Sequence, residues 1–309
     1  MNNGLPNLGN TCYINAALQC IFSLNTFHSL QSSLQIHELS NVFHNKQHYI
    51  SFIKYLSQHI TFINILDEND IHEFLLLFFQ HLHDISSIKK TISKNTSSLS
   101  TSFQKLNYLS QLNWYQDYSL LKEHFYFQYI QCIDCYKCKK NHINIQESFI
   151  LEIPIQKQSI IDGVNDFFKN NILDSSEWKC DKCNSLHTKN TTQNYLWKLP
   201  DVFIICIKRF SFTKNTIKKD FSEIDINYTI NLNPIFINKK NNIDYTYELK
   251  SIANHHGNSY YGHYTADILD NINDLKIIKF DDLNKTLIKN LDKCNSYILF
   301  YERYGRTSK

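Results

Sequence analysis

GLPNLGNTCYINAALQ, residues Gly4 to Gln19, is the stretch on which the fold turns. It sets Cys12 where a glycine-bearing loop runs into Ile14, Ala17, Leu18, Ile21 and Phe22, which recur at helical spacing. A cysteine at a helix N-terminus meets free backbone N–H groups and the positive end of the helix dipole, and both favour its thiolate. Such a nucleophile needs a base that is close in space, not in sequence. The far end of the chain offers one. Residues Tyr260 to Asp267 read YYGHYTAD, with His263 entering a strand-like run.

Glycine usage marks the same two places. The chain has six glycines, and Gly4, Gly9, Gly257 and Gly262 lie in or beside the two end motifs. Elsewhere asparagine can serve the turns, since it tolerates the left-handed region. A cysteine near one end and a histidine near the other give the layout of a papain-like thiol hydrolase, whose two chain ends meet at the cleft.

Composition bounds the rest. At 309 residues and 42% hydrophobic the chain can bury a sizeable core. A formal net charge of +3 is near neutral for this length and points to no class of charged partner. No uninterrupted apolar run reaches the ~18–20 residues of a membrane span, so none is expected. With the first motif beginning within a few residues of Met1, no secretory leader is expected either. Nine cysteines in such a chain point to free thiols or metal sites rather than disulfides. The expected location is intracellular, in cytoplasm or nucleus.

A second helix is predicted from Asp70 to His83, with Ile71, Phe74, Leu75, Phe78 and Leu82 as its buried stripe. Ser86 to Lys105, rich in serine, threonine and lysine, reads as a mobile loop or insertion. From Phe125 the pattern turns to β. Strands are predicted over Glu147–Ile155, Val202–Phe210, Tyr247–Asn254, His263–Leu269, Lys276–Phe280 and Ser296–Glu302. The fold class is therefore α+β, a helical first part and a mainly β remainder with a cleft between them.

Two CxxC pairs, Cys132/Cys135 and Cys180/Cys183, suggest one structural zinc held by four thiolates, with no position open to substrate. Cys135/Cys138 is an alternative first pair; Cys132 and Cys135 are preferred, leaving Cys138 a spare thiol. Cys20 and Cys206 read as core thiols, and Cys294 has no assignment.

Taken together, several ordered segments resemble the ubiquitin-specific protease family. They are GLPNLGNTCYINAALQ, NDIHEFL (Asn69 to Leu75), the CxxC pairs, LPDVFIICIKRF (Leu199 to Phe210), the histidine box from Tyr247 to Asp267, KFDD (Lys279 to Asp282) and YILFYER (Tyr297 to Arg303). The resemblance spans nearly the whole chain. It implies one catalytic domain over 1–309, with a helical thumb (1–124), fingers bearing the zinc ribbon (125–200) and a β palm carrying the histidine box (201–309). It also implies thiol-dependent cleavage after the C-terminal Gly-Gly of ubiquitin, in isopeptide or peptide bonds, with no catalytic cofactor.

By the same resemblance Cys12 is the nucleophile and His263 the base and then the acid. Asp281 orients the imidazole, Asp282 assists, and Asn7 joins the Cys12 N–H in holding the oxyanion. Asp70 and Glu73 read locally as a capping box, whereas the resemblance turns both toward ubiquitin's basic tail. Tyr264 walls the channel for the two glycines, and His255 matches a loop over the cleft. Two departures stand out. Glu68 and Asn69 replace a family glutamine pair, and Phe127 stands near a usual glycine before the first CxxC.

The expected partners are ubiquitin and ubiquitinated proteins, with no nucleic acid, no membrane, and the chain a monomer. A ubiquitin-like modifier in place of ubiquitin is an alternative, since Gly-Gly tails are shared. A non-catalytic ubiquitin-binding scaffold would need a missing triad residue, and none is missing. A zinc-ribbon nucleic-acid binder would want a basic patch that the overall charge does not suggest.

Overall fold

The computed structural model describes residues 3–34, 36–60, 63, 67–90, 102–172, 178–186, 189–213, 216–238, 243–258, 261–271 and 276–304. Its first part is helical: α1 (Cys12–Ile21), α2 (Asn25–Leu34), α3 (His37–Ser40), α4 (Lys46–His59), α5 (Ile71–Ser86), α6 (Ser102–Gln116) and α7 (Leu120–Phe125). Every residue of α1 is buried, so this helix lies inside the molecule rather than on its surface. Helix α5 buries the predicted stripe of Ile71, Phe74, Leu75, Phe78 and Leu82, and also Phe79 and His83, which widen it. Asp70 caps it, its Oδ1 accepting from the His72 N–H at 2.6 Å. Part of the expected Ser86–Lys105 loop is helical, since α6 begins at Ser102, while residues 91–101 lie outside the described residues.

Beyond α7 come β1 (Phe127–Asp134), β2 (Asn141–Ser148), β3 (Ile150–Pro154), α8 (Ile160–Phe167), β4 (Asn170–Ile172) and β5 (Thr191–Lys198). They are followed by β6 (Val202–Lys208), β7 (Phe210–Thr213), β8 (Thr216–Lys219), β9 (Thr229–Asn231), β10 (Thr246–Gly257), β11 (Gly262–Asn271), β12 (Lys276–Asp281), β13 (Asn284–Ile288) and β14 (Ser296–Arg303). The larger sheet runs β13-β12-β11-β10-β14-β6-β3, with β9 alongside β10. All of its pairings are antiparallel except β3 with β6. A smaller sheet, β2-β1-β5-β4, carries the cysteines, and β7 and β8 form a separate hairpin.

The run VFIICI explains the centre of the large sheet. Val202, Ile204 and Cys206 join the core shared with α1 and α5. Phe203, Ile205 and Ile207 join the core on the opposite face, with Ile160 and Val164 of α8. A strand buried on both sides needs apolar residues at every position, and this one has them. The predicted Glu147–Ile155 strand is in fact two. Ser148 pairs with Phe127 in the small sheet, whereas Ile150 pairs with Ile204 in the large one. The chain changes sheets at Phe149, which stacks on Phe79 at 4.6 Å.

Candidate active site and metal centre

Cys12 is the first residue of α1, behind Thr11, and is buried at the floor of a cleft of about 700 Å³. Strand β11 passes over it, and His263 lies at the second position of that strand. The His263 Nε2 meets Asp281 Oδ1 at 2.7 Å, which leaves Nδ1 for the Cys12 sulfur. Hydrogen bonding to that sulfur is the largest influence on the imidazole; burial opposes it and Asp281 reinforces it, and the net effect raises its pKa to about 9. At neutral pH the His263 imidazole therefore favours its protonated form.

The structure separates the two aspartates that adjoin in sequence. Asp281 ends β12 and faces His263; Asp282 turns away in a left-handed backbone, φ 50°, with its Oδ2 4.0 Å from His263 Nε2. Asp282 instead accepts from Asn7 Nδ2 at 3.0 Å and from Asn15 Nδ2 at 2.7 Å. The Asn7 Oδ1 accepts from the Gly9 and Thr11 N–H groups at 3.2 and 3.1 Å. Its amide plane is thus held at both ends, with one N–H not engaged by Asp282. The N-terminal segment closes against the same turn: Leu5 N–H donates to the Asp282 carbonyl at 3.0 Å, and a side chain at Gly4 would overlap the Leu283 backbone.

The cleft walls are aromatic and its mouth is acidic. Tyr264, Tyr297, Phe210, His255 and Gly262 line it, as do Glu68, Asp70 and Glu73. Both tyrosines converge on Asp70: Tyr264 Oη donates to Oδ2 at 3.3 Å, and Tyr297 Oη lies 3.2–3.3 Å from both oxygens. Asp70 is thereby committed to its cap and to this wall, whereas Glu73 is exposed and lines the cleft. Burial lowers the pKa of His255 to about 4, helped by Lys219 and His256, so it is a neutral wall residue. A Cβ on Gly262 would overlap its ring, so glycine is what lets strand and imidazole approach. Among the site residues, sequence reasoning gave no role to Asn15 or Tyr297; Asn69, singled out there as a departure, donates from its Nδ2 to Tyr13 Oη at 3.1 Å.

The metal centre corrects one expectation. The sulfurs that gather are those of Cys135, Cys138, Cys180 and Cys183, all within 4.8 Å of one another. Cys138 is a member and Cys132 is not. Cys132 lies inside β1, opposite Ile143 and Gln193, whereas Cys135 follows the end of that strand and opens the knuckle turn. The ladder holds Cys132 in the sheet, and its sulfur is not among the four that gather.

The true knuckles match each other atom for atom. Lys139 N donates to the Cys135 carbonyl and Cys135 N to the Lys140 carbonyl. Likewise Asn184 N donates to the Cys180 carbonyl and Cys180 N to the Ser185 carbonyl. Lys139 (φ 54°) and Asn184 (φ 59°) make the same left-handed turn. A tetrahedral site with ~2.3 Å zinc–sulfur bonds sets its sulfurs roughly 3.8 Å apart. The Cys135–Cys183 and Cys138–Cys180 separations are both 3.7 Å, so the donor set fits zinc. His142 Nε2 lies 3.2 Å from the Cys180 sulfur, and its Nδ1 lies 2.8 Å from Asp181. One structural zinc ion accounts for the cluster, as the sequence suggested.

Comparison with known proteins agrees with this geometry. A family model described as ubiquitin carboxyl-terminal hydrolase matches residues 3–301. Ubiquitin carboxyl-terminal hydrolase 4 of Vanderwaltozyma polyspora is 24% identical over 98% of this chain and 41% of its own length. Ubiquitin carboxyl-terminal hydrolase Usp2 of Drosophila melanogaster is 26% identical over 97% of this chain and 34% of its own length. The chain thus spans about two-fifths or less of these relatives. Among solved structures, the SAGA Ubp8/Sgf11/Sus1/Sgf73 DUB module bound to ubiquitin aldehyde matches with a TM-score of 0.75 at 20% identity, covering 98% of this chain and 70% of that one. A complex of that module with monoubiquitin gives 0.75 at 21% identity, covering 98% and 69%. The helical lobe, large sheet and cysteine-bearing small sheet therefore correspond to thumb, palm and fingers, and the chain belongs to the ubiquitin carboxyl-terminal hydrolase family.

Proposed function

We propose that this chain is the catalytic unit of a thiol-dependent deubiquitinase that hydrolyses isopeptide and peptide bonds after the C-terminal Gly-Gly of ubiquitin. The observation that carries the reading is the alignment of Cys12, His263 and Asp281 beside an oriented Asn7 amide. The Cys12 thiolate attacks the carbonyl carbon of the terminal glycine. Negative charge moves to the carbonyl oxygen, where the free N–H of Asn7 and the Cys12 backbone N–H receive it. The His263 imidazolium then gives its proton to the departing amine, leaving a thioester on Cys12. His263 next takes a proton from water; the hydroxide attacks the thioester, and the thiol leaves as thiolate while the imidazolium is restored. Asp281 holds the ring and compensates its charge throughout.

Substrate choice follows from the walls. Tyr264, His255 and Gly262 leave a slot suited to residues without side chains, and Glu68 and Glu73 at the mouth suit a basic tail. Asp70 contributes through the two tyrosines it holds. We take residues 1–309 to work as one unit, with 1–124 as thumb, 125–200 largely as fingers and 201–309 as palm. It acts as an intracellular monomer on ubiquitin and ubiquitinated proteins. No described helix is long and apolar enough to cross a membrane. The test is release of a fluorophore from a ubiquitin C-terminal amide. Turnover that persists in Cys12→Ser, or none from the wild type, would overturn the reading.

A further inference from the structure

A run of side-chain hydrogen bonds joins the Asp281–Asp282 turn to the interior of the helical lobe, and no reaction step above uses it. It begins at Tyr49 on α4, which is fully buried. The Tyr49 hydroxyl donates to Asn15 Oδ1 at 2.5 Å. Burial pushes this phenol's pKa up, so it stays a donor at neutral pH. With its oxygen engaged, the Asn15 amide presents its nitrogen to Asp282 Oδ1 at 2.7 Å and to the Leu5 and Pro6 carbonyls at 3.3 and 3.4 Å. The other Asp282 oxygen receives Asn7 Nδ2 at 3.0 Å.

We propose that Tyr49 and Asn15 are positioning residues which, through Asp282, aim the Asn7 amide at the developing oxyanion. The proposal rests on the thiol-hydrolase reading above. Three observations carry it. Asp282 has a left-handed backbone, uncommon for a residue with a side chain, so something must hold it; Asn15 and Asn7 occupy its two oxygens. Asn15 lies three residues after Cys12 on α1, one turn on, so the relay references the oxyanion donor to the same helix that carries the nucleophile. Tyr49 does not line the cleft, and its hydroxyl reaches Asn15 and Thr11, both of which hold the segment that carries Asn7, so the hydroxyl can be removed without removing a group that lines the cleft.

The experiment is a double-mutant cycle on a ubiquitin C-terminal fluorogenic amide, comparing Tyr49→Phe in the wild-type and Asn7→Ala backgrounds. Losing an oxyanion donor outright costs about 10²–10³ in kcat, and a misaimed one should forfeit about tenfold. Tyr49→Phe should therefore lower kcat about tenfold with KM within about twofold, and should add no further loss once Asn7 is Ala. An equal fold-loss in both backgrounds would make Tyr49 merely structural and overturn the relay, as would an unchanged kcat. Thermal melts run alongside; if Tyr49→Phe does not fold, Asn15→Leu, which keeps the number of side-chain heavy atoms and deletes both the donor and the acceptor, goes through the same cycle. A wild type that leaves the amide intact removes the hydrolase reading and the relay together. An active wild type, silenced by Cys12→Ser, with an additive cycle removes the relay alone.

Discussion

Replacing Cys138 by serine and, separately, Cys132 by serine tests the metal centre where structure and sequence part company. Structural zinc binding in small fingers is worth about 10–16 kcal/mol in apparent free energy. Shared over four thiolates, that is about 2.5–4 kcal/mol per ligand, or roughly fiftyfold to a thousandfold in zinc affinity. The tip of the small sheet has little else to hold it. Ile143, Leu186 and Tyr136 there are 53%, 54% and 44% exposed. Cys138→Ser should therefore release zinc to a chelating dye far below the wild-type threshold. Amide hydrogens of β1 and β2 near the knuckle should lose exchange protection while those of α1 and β6 keep theirs. Cys132→Ser changes only a strand residue and should cost about 1 kcal/mol or less, with one zinc per chain retained. Zinc loss from Cys132→Ser, with full retention by Cys138→Ser, would refute the reasoning.

Three further outcomes are expected. Asn7→Ala should lower kcat about 10²–10³-fold while ubiquitin affinity stays within about twofold; comparable losses in both would make Asn7 a structural residue. Glu73→Arg should raise KM for ubiquitin substrates much more than it lowers Tm, since Glu73 is exposed at the cleft mouth; the reverse pattern would restore the capping-box reading. Because the His263 pKa is raised to about 9 from an ordinary 6.5, kcat/KM should fall as pH passes through about 9, where the imidazolium loses the proton owed to the leaving amine. The same shift stabilises the fold fully below about pH 6.5, and that contribution is lost as pH rises toward 9. With the side chain 40% exposed it is small, and His263→Ala should remove that slope; an alkaline limb unmoved from pH 6.5 would contradict the assignment.

Much of this was legible in the chain because the informative residues are locally constrained. Cys12 announces itself through the loop-to-helix passage around it, and the β6 run VFIICI shows by its unbroken apolarity that both faces are buried. The zinc register was not legible by counting, since CIDCYKC offers two equal spacings. What decides it is the backbone turn at Lys139 and its twin at Asn184. A trace exists in the sequence, because CYKC and CDKC share a lysine before the second cysteine and CIDC does not. The division of labour between Asp281 and Asp282 depends on a left-handed turn that no spacing reveals. Tyr49 carries no local signal at all; its hydroxyl matters only because α4 packs it against Asn15. The sequence reading carries its loop as far as Lys105 because the serine- and threonine-rich run ends at Ser102, the first residue of α6, and leaves no break in pattern at the helix start.

Folding brings a thiol near one end of the chain against an imidazole near the other, under a slot shaped for bare backbone. Ubiquitin carrying a C-terminal electrophile measures that arrangement directly. The wild type should form one covalent adduct, mapped by peptide mass to Cys12, and Cys12→Ser and His263→Ala should form little or none. Adducts spread over Cys20, Cys206 and Cys294, or capture at Cys12 that is indifferent to His263, would contradict the account.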